Sequence, residues 1–254
     1  MKALFITITS CVAIALLVAT ANCRNKTEAP GTIKNNDEGF VLMELFTSQS
    51  CSSCPHADDL LGSYAQQKDD HIIPLAFHVD YWNLLGWKDS FSNAEYSQRQ
   101  EYYNEKFLHA DVYTPQLVVN GNKEMVGNND IKVKAAVENA LNETPAATIN
   151  FTYQPISNRQ LQIQYTIDGN TANTMLNTAI IQYKTITKIK GGENGGVTLT
   201  NYNVVRSFVY SVAQNTGTSF IKLPPGVDTK ELSVVLYTQD TITGKITGAT
   251  EKEL

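Results

Sequence analysis

The apolar positions divide the chain into two textures. Up to about residue 145, compact apolar runs alternate with segments of three- and four-residue spacing; beyond it the spacing is almost wholly two. Val41 to Phe46 is apolar except for Glu44 and reads as a buried strand. Ala57, Leu60, Leu61 and Tyr64 then recur at helical spacing. A second apolar strand spans His71 to Val79, and an aromatic-rich loop runs from Asp80 to Trp87. Asn93 to Leu108 reads as a polar helix with Tyr96, Tyr103 and Phe107 on its packed side. Val112 to Pro115 leads into a strand, Gln116 to Asn120; Asn120-Gly121 is a hairpin signal, and Glu124 to Val126 is the return strand. Asp130 is expected to cap a last helix to about Leu141, with Val133, Val137 and Leu141 on one face.

After Glu143-Thr-Pro145 six alternating runs follow: 149–153, 161–167, 176–183, 204–212, 220–223 and 232–238, punctuated by Gly, Asn, Asp and Pro. The strand–helix–strand, helix, hairpin, helix order of the first part predicts an α/β thioredoxin-like domain over 39–145, a mixed sheet with helices on both faces. The second part, 146–254, predicts an all-β antiparallel sandwich.

Two further segments precede these. Lys2 followed by the apolar run Leu4 to Val18 and the small residues Ala19-Thr-Ala21 reads as a signal peptide, residues 1–22. Cleavage after Ala21 releases a soluble protein; cleavage before Cys23 leaves a lipid on that cysteine. Residues 23–38, polar with Pro30-Gly31, read as a flexible tether. Either way the chain leaves the cytoplasm, for the periplasm or cell envelope, where disulfides persist. The net charge of −5 and the lack of a basic cluster argue against nucleic acid. Contact with a membrane is expected only through a lipid on Cys23, and the protein is expected to be a monomer. Of the four cysteines, Cys11 falls in the signal segment, which leaves Cys23, Cys51 and Cys54, too few for a stapled scaffold.

The chemistry gathers at Cys51-Ser-Ser-Cys54. A strand runs into two cysteines and a helix follows, so Cys51 lies near free amides and a dipole that favour a thiolate. The leading reading is a redox dithiol: Cys51 attacks, Cys54 resolves. A structural disulfide and a copper site using a histidine are the alternatives; a zinc site lacks further ligands. Pro115 after Thr114 reads as a cis-proline that leaves the Thr114 backbone free for an extended substrate. Glu44, on the strand before the dithiol, is costly to bury and reads either as a proton acceptor for Cys54 or as an ion-pair partner. His78, Asp80, Trp82 and Trp87 read as a rim around the dithiol, or as loop packing. The glycine run 191–196 has the wrong charge, through Glu193, to cradle phosphate and reads as a long hairpin loop.

Glu44 to Pro55, Ala76 to Trp82, Gly86 to Asp89, Val112 to Gln116, Gly192 to Gly195 and Tyr202 to Arg206, with Gln239, Asp240 and Gly244, resemble a family of secreted bacterial proteins of unassigned function with a thioredoxin-like fold. His56 departs from that pattern, which carries proline there. The resemblance implies Cys51 as nucleophile, Cys54 as resolving thiol, Pro115 as the cis-proline and Glu44 as an inexact counterpart of a buried acid. The expectation is an exported thiol–disulfide oxidoreductase acting on protein cysteines with a redox partner, needing neither dissociable cofactor nor metal. The rival is a non-catalytic ligand-binding protein braced by its disulfide. An exposed Cys51 sulfur facing Pro115 favours the enzyme; a buried disulfide favours the binder.

Overall fold

The computed structural model describes residues 39–156 and 159–254. The expected signal segment, Cys11, Cys23 and the tether lie outside the described residues. β1 (Val41–Thr47) is followed by α1 (Pro55–Gln67), β2 (Ile72–His78) and a 3-10 turn, Tyr81–Leu85. α2 (Ala94–Tyr103) runs on through a π-type turn, Asn104–Leu108, to β3 (Gln116–Val119), β4 (Lys123–Val126) and α3 (Asp130–Leu141). Seven strands complete the order: β5 (Ala147–Ile156), β6 (Gln160–Gly169), β7 (Thr174–Lys188), β8 (Thr198–Val212), β9 (Thr216–Lys222), β10 (Leu232–Asp240) and β11 (Ile246–Glu253).

Eight strands form one mixed sheet in the order β11-β10-β7-β8-β2-β1-β3-β4, and three form a second, β5-β6-β9. The larger sheet runs across residue 145, because β2 pairs parallel with β8 at Ala76 and Val204. This overturns the expected fold class. Among the described residues strand makes up 45% and helix 22%, so the first part is not a helix-rich thioredoxin-like α/β unit, nor the second a separate antiparallel sandwich. The reason lies in β8. Val204 and Val205 are both fully buried, and a strand buried on both faces belongs inside a sheet.

Alternation sorts the core. Leu42 and Phe46 of β1 pack with Phe77, Tyr96, Tyr103, Val205 and Tyr237 on the face that α2 covers. Val41, Met43 and Leu45 face the other way, onto Ala57 and Leu61 of α1 and Val133 and Val137 of α3. Farther along, the small sheet closes over β7 and β10 through Phe151, Ile163, Ile180 and Val234. Three residues, Asn120 to Asn122, connect β3 to β4; Asn120 (φ 45°) and Gly121 (φ 77°) are both left-handed, and the Asn122 amide closes the turn on the Val119 carbonyl. Asn129, not Asp130, caps α3, accepting from the Lys132 amide.

Glu44 is fully buried on the α2 face. Arg99 Nε and Nη2 reach Glu44 Oε1 at 2.8 and 2.7 Å. The Tyr103 hydroxyl donates to Oε2, and that of Tyr237 to Oε1 at 2.8 Å. The rings of Phe208, Tyr103, Phe77 and Tyr237 surround the guanidinium at 4.8 to 5.7 Å. Such a pair is costly to break, since removing one ion strands the other. Arg99→Met should therefore cost about 3–5 kcal/mol, read as a lower denaturant midpoint. Adding Glu44→Gln should restore part of that loss.

Candidate functional site

β1 ends at Thr47 and the chain turns without leaving the interior: Ser48, Gln49, Ser50 and Cys51 are all at most 1% exposed. Backbone groups sealed from water need partners, and here they come from distant segments. The Gln49 amide donates to Asp89 Oδ2 at 2.9 Å. Asn194 Nδ2 donates to the carbonyls of both Gln49 and Cys51, at 2.9 Å each. The Ser52 amide donates to Glu193 Oε2 at 2.9 Å; the Ser52 side chain first and this amide second hold the Glu193 carboxyl below its usual pKa. The Cys54 amide closes the turn onto the Cys51 carbonyl at 3.2 Å, and Cys54 is the residue before the first turn of α1, with Pro55 at the first helical position. Proline is at home there, where no intrahelical donor is needed.

Cys51 and Cys54 form a disulfide, with Cα atoms 5.4 Å apart. Both residues are fully buried, whereas Ser52 and Ser53 between them are exposed. The Thr114–Pro115 peptide bond is cis. Ser53 Oγ lies 3.3 Å from Cys51 Sγ and 3.5 Å from the Thr114 carbonyl oxygen. The cis peptide is therefore in contact with the disulfide turn. Gly127 locks it there. Its amide donates to the Pro115 carbonyl at 2.8 Å, and a Cβ at Gly127 would fall 2.7 Å from Leu45 and 3.3 Å from Ala57.

The aromatic loop frames the same turn. Trp82 Nε1 donates to Thr114 Oγ1 at 2.8 Å, and Trp87 Nε1 to Gln49 Oε1 at 3.1 Å. Ser50 Oγ donates to the Trp87 carbonyl at 2.8 Å. The glycine run is the loop between β7 and β8 and lies against this frame. A Cβ at Gly191 would sit 2.4 Å from the Gly86 carbonyl oxygen, so only glycine allows the approach.

The other expected site residues are placed elsewhere. Asp80 accepts from Ser97 Oγ at 2.5 Å, at the start of α2. Glu44 lies on the α2 face of β1, opposite the face on which α1 packs, and its oxygens are taken by Arg99, Tyr103 and Tyr237. His78 lies beneath the turn, fully buried, with Nδ1 2.6 Å from Asp89 Oδ2. His56, exposed, pairs with Asp130 at 2.8 Å. Among the described residues, no three His, Cys, Asp or Glu side chains are grouped to hold a metal ion.

The sequence reading missed Asp58, Asp89 and Asn194. Asp58 is 4% exposed on α1, and its Oδ1 has no hydrogen-bond partner; nor do the buried His78 Nε2 and Thr47 Oγ1. Burial pushes the Asp58 carboxyl up to about 7, against the opposing pull of His78. Burial alone would lower His78, but the Asp89 carboxylate outweighs it and raises the imidazole. Asp89 is lowered: His78 and the Gln49 and Phe91 amides overcome its burial. The signal for Asp58 was its spacing of four from Cys54, one turn along the same helix face.

The residues matched by a known family run from 42 to 239, from β1 to β10, and include the cysteines, the cis-proline and the glycine loop. The chain belongs to the family described as a protein of unknown function, DUF1223. A crystal structure of a protein from Agrobacterium tumefaciens is similar to this DUF1223 chain at 25% identity and a TM-score of 0.64, covering 83% of this chain and 92% of that one. HBP35 of Porphyromonas gingivalis is similar in fold, with 15% identity and a TM-score of 0.59 over 85% of this chain and 76% of that one. None of the curated proteins matches.

The buried charges under the turn set a pH dependence. The folded protein keeps the Asp58 proton up to about 7, whereas the unfolded chain gives it up near 3.8. The resulting stability is fully present below 3.8 and falls as pH rises toward about 7. The raised His78 contributes in the same direction, losing its share as pH rises through its folded pKa, above 6.5. The lowered Asp89 acts oppositely and only below 3.8. Thermal unfolding midpoints should therefore fall from about pH 5 to about pH 8, and Asp58→Asn should flatten that fall.

Proposed function

We propose that this protein is a thiol–disulfide oxidoreductase that works outside the cytoplasm on protein cysteines. The carrying observation is the contact between the disulfide turn and the cis peptide: Ser53 Oγ touches both Cys51 Sγ and the Thr114 carbonyl. A backbone carbonyl beside a disulfide is a docking point for an extended client that brings its own sulfur. In the forward step a client thiolate attacks Cys51 Sγ. A client–Cys51 bond forms, the Cys51–Cys54 bond breaks, and Cys54 leaves as a thiolate. A second client thiolate then attacks the client sulfur, releases Cys51 and leaves an oxidised client and a reduced enzyme. A redox partner that takes two electrons from the dithiol resets it. The signal segment read in the sequence supports an oxidising compartment.

Both cysteines are fully buried. Exchange therefore requires the turn or the β7–β8 loop against it to move. The same burial favours a second reading: a binding protein in which Cys51–Cys54 only braces the turn between β1 and α1.

Alkylation after mild reduction separates the two. The enzyme reading predicts that dithiothreitol opens the disulfide in the folded protein. Cys51 should then alkylate rapidly well below the free-thiol pKa of about 8.5, and oxidised protein should transfer its disulfide to a reduced model protein, a transfer lost in Cys51→Ser. A disulfide that resists dithiothreitol until denaturant is added would establish the brace instead.

A further inference from the structure

We infer that Asp58 is the proton store for Cys54, giving a proton to its sulfur when the disulfide opens and taking it back when the disulfide closes. This rests on the exchange chemistry proposed above and assigns the proton that chemistry leaves without a carrier.

Cys54 is fully buried, so solvent is not in contact with the thiolate that disulfide opening leaves there. A proton must come from inside. Cys54 has helical backbone angles (φ −80°, ψ −34°), and the Asp58 amide donates to its carbonyl at 3.0 Å. Residues spaced by four on a helix share a face, with Cβ atoms about 5–6 Å apart. Here the shared face is the buried one, because Ala57, Asp58 and Leu61 all turn toward the sheet. Glu44 is not available for this role. It faces α2, and its oxygens are held by a guanidinium and two phenols.

Asp58 keeps one oxygen without a fixed partner. Its Oδ1 has no partner in hydrogen-bonding geometry, and neither do His78 Nε2 and Thr47 Oγ1, which come from the paired ends of β2 and β1; the Thr47 hydroxyl lies near enough to pull the carboxyl's pKa down against its burial. Buried polar atoms without partners are uncommon and need an explanation. A carboxyl that changes protonation during turnover supplies one, since a fixed hydrogen bond would favour one state. The charges around it leave both states within reach: His78 with Asp89 forms a pair of no net charge, and Asp59 lies on the same helix. From β8, Tyr202 packs over Gly62, farther along α1. The carboxyl titrates at about 7, so both forms are populated near neutrality.

The step balances. A client thiolate attacks Cys51, the electron pair of the broken bond stays on Cys54, and the Asp58 carboxylic acid passes its proton to that sulfur and becomes a carboxylate. On closure the carboxylate removes the Cys54 proton as Cys54 attacks the Cys51–client bond and the client leaves as a thiolate. Asp58 acts on the sulfur without touching the client.

The test is the reduction rate of the oxidised protein by dithiothreitol, taken per unit of dithiothreitol thiolate, from about pH 5 to about pH 9. Wild type should react fastest on the acid side and slow as pH rises through about 7. Asp58→Asn has no proton to give. It should be slower by about 10²-fold on the acid side, lack the inflection, and converge with wild type at high pH. A merely structural residue would shift the whole profile without moving its shape. Parallel profiles with a shared inflection would overturn the inference while leaving the exchange reading intact, whereas a wild-type disulfide inert at every pH would remove both. Infrared difference spectra of wild type need no variant. On reduction at mildly acid pH a protonated carboxyl band should be lost or shifted, and its constancy would equally overturn the assignment.

Discussion

A strand sealed on both faces that runs on into four more buried residues is the constraint on which this structure depends. β1 and the four residues after it are all at most 1% exposed. Their backbone amides and carbonyls must be paired inside the protein. The turn pairs some of them itself, the Cys51 amide onto the Ser48 carbonyl and the Ser50 amide onto Ser48 Oγ, and the fold delivers side chains from afar for others: Asp89 from beyond the aromatic loop, and Glu193 and Asn194 from the β7–β8 connection. Long β7 and β8 carry that connection to the turn, and the parallel pairing of β8 with β2 fixes where it lands. The join between the two halves of the chain and the construction of the site are thus one requirement.

The two faces of β1 handle charge differently. On the α2 face Glu44 meets a guanidinium, two phenols and an aromatic box, and both carboxylate oxygens are engaged. This is a closed group whose role is to hold α2 and β10 to the central strand. On the α1 face, Asp58, His78 and Thr47 each carry an orphaned atom, and Asp58 stands one helical turn from Cys54. A satisfied network rigidifies the fold, whereas a buried polar atom without a partner is costly. That contrast, more than burial alone, distinguishes the two buried acids.

Much of this was legible in the sequence where the signal is local. The strand-to-cysteine turn, the helix after it, the Asn120-Gly121 hairpin and the glycine run as a hairpin loop all follow from spacing and turn chemistry over a few residues. The β2–β8 pairing was not, since Ala76 and Val204 are far apart in the chain and buried strands of either half look alike. β11 carries little apolar signal because Thr, Glu and Lys make up most of it, as suits an edge strand. Asp58 was passed over because an acidic residue in the first turn of a helix ordinarily faces solvent and favours the dipole. Glu44 reads in the sequence either as a proton acceptor or as an ion-pair partner, and the choice is not local, because its partners Arg99 and Tyr237 lie 55 and 193 residues away.

The central claim is that Asn194 and Glu193 hold the disulfide turn shut by completing its backbone, so that access to sulfur follows their release. The direct measurement is the rate at which dithiothreitol reduces Cys51–Cys54 in folded wild type and in Asn194→Ala, with amide hydrogen exchange followed over 49–53. Losing two buried hydrogen bonds, at about 1 kcal/mol each, should speed reduction by roughly tenfold or more and raise exchange in that segment alone. An unchanged reduction rate in a variant whose turn exchanges faster would contradict the account.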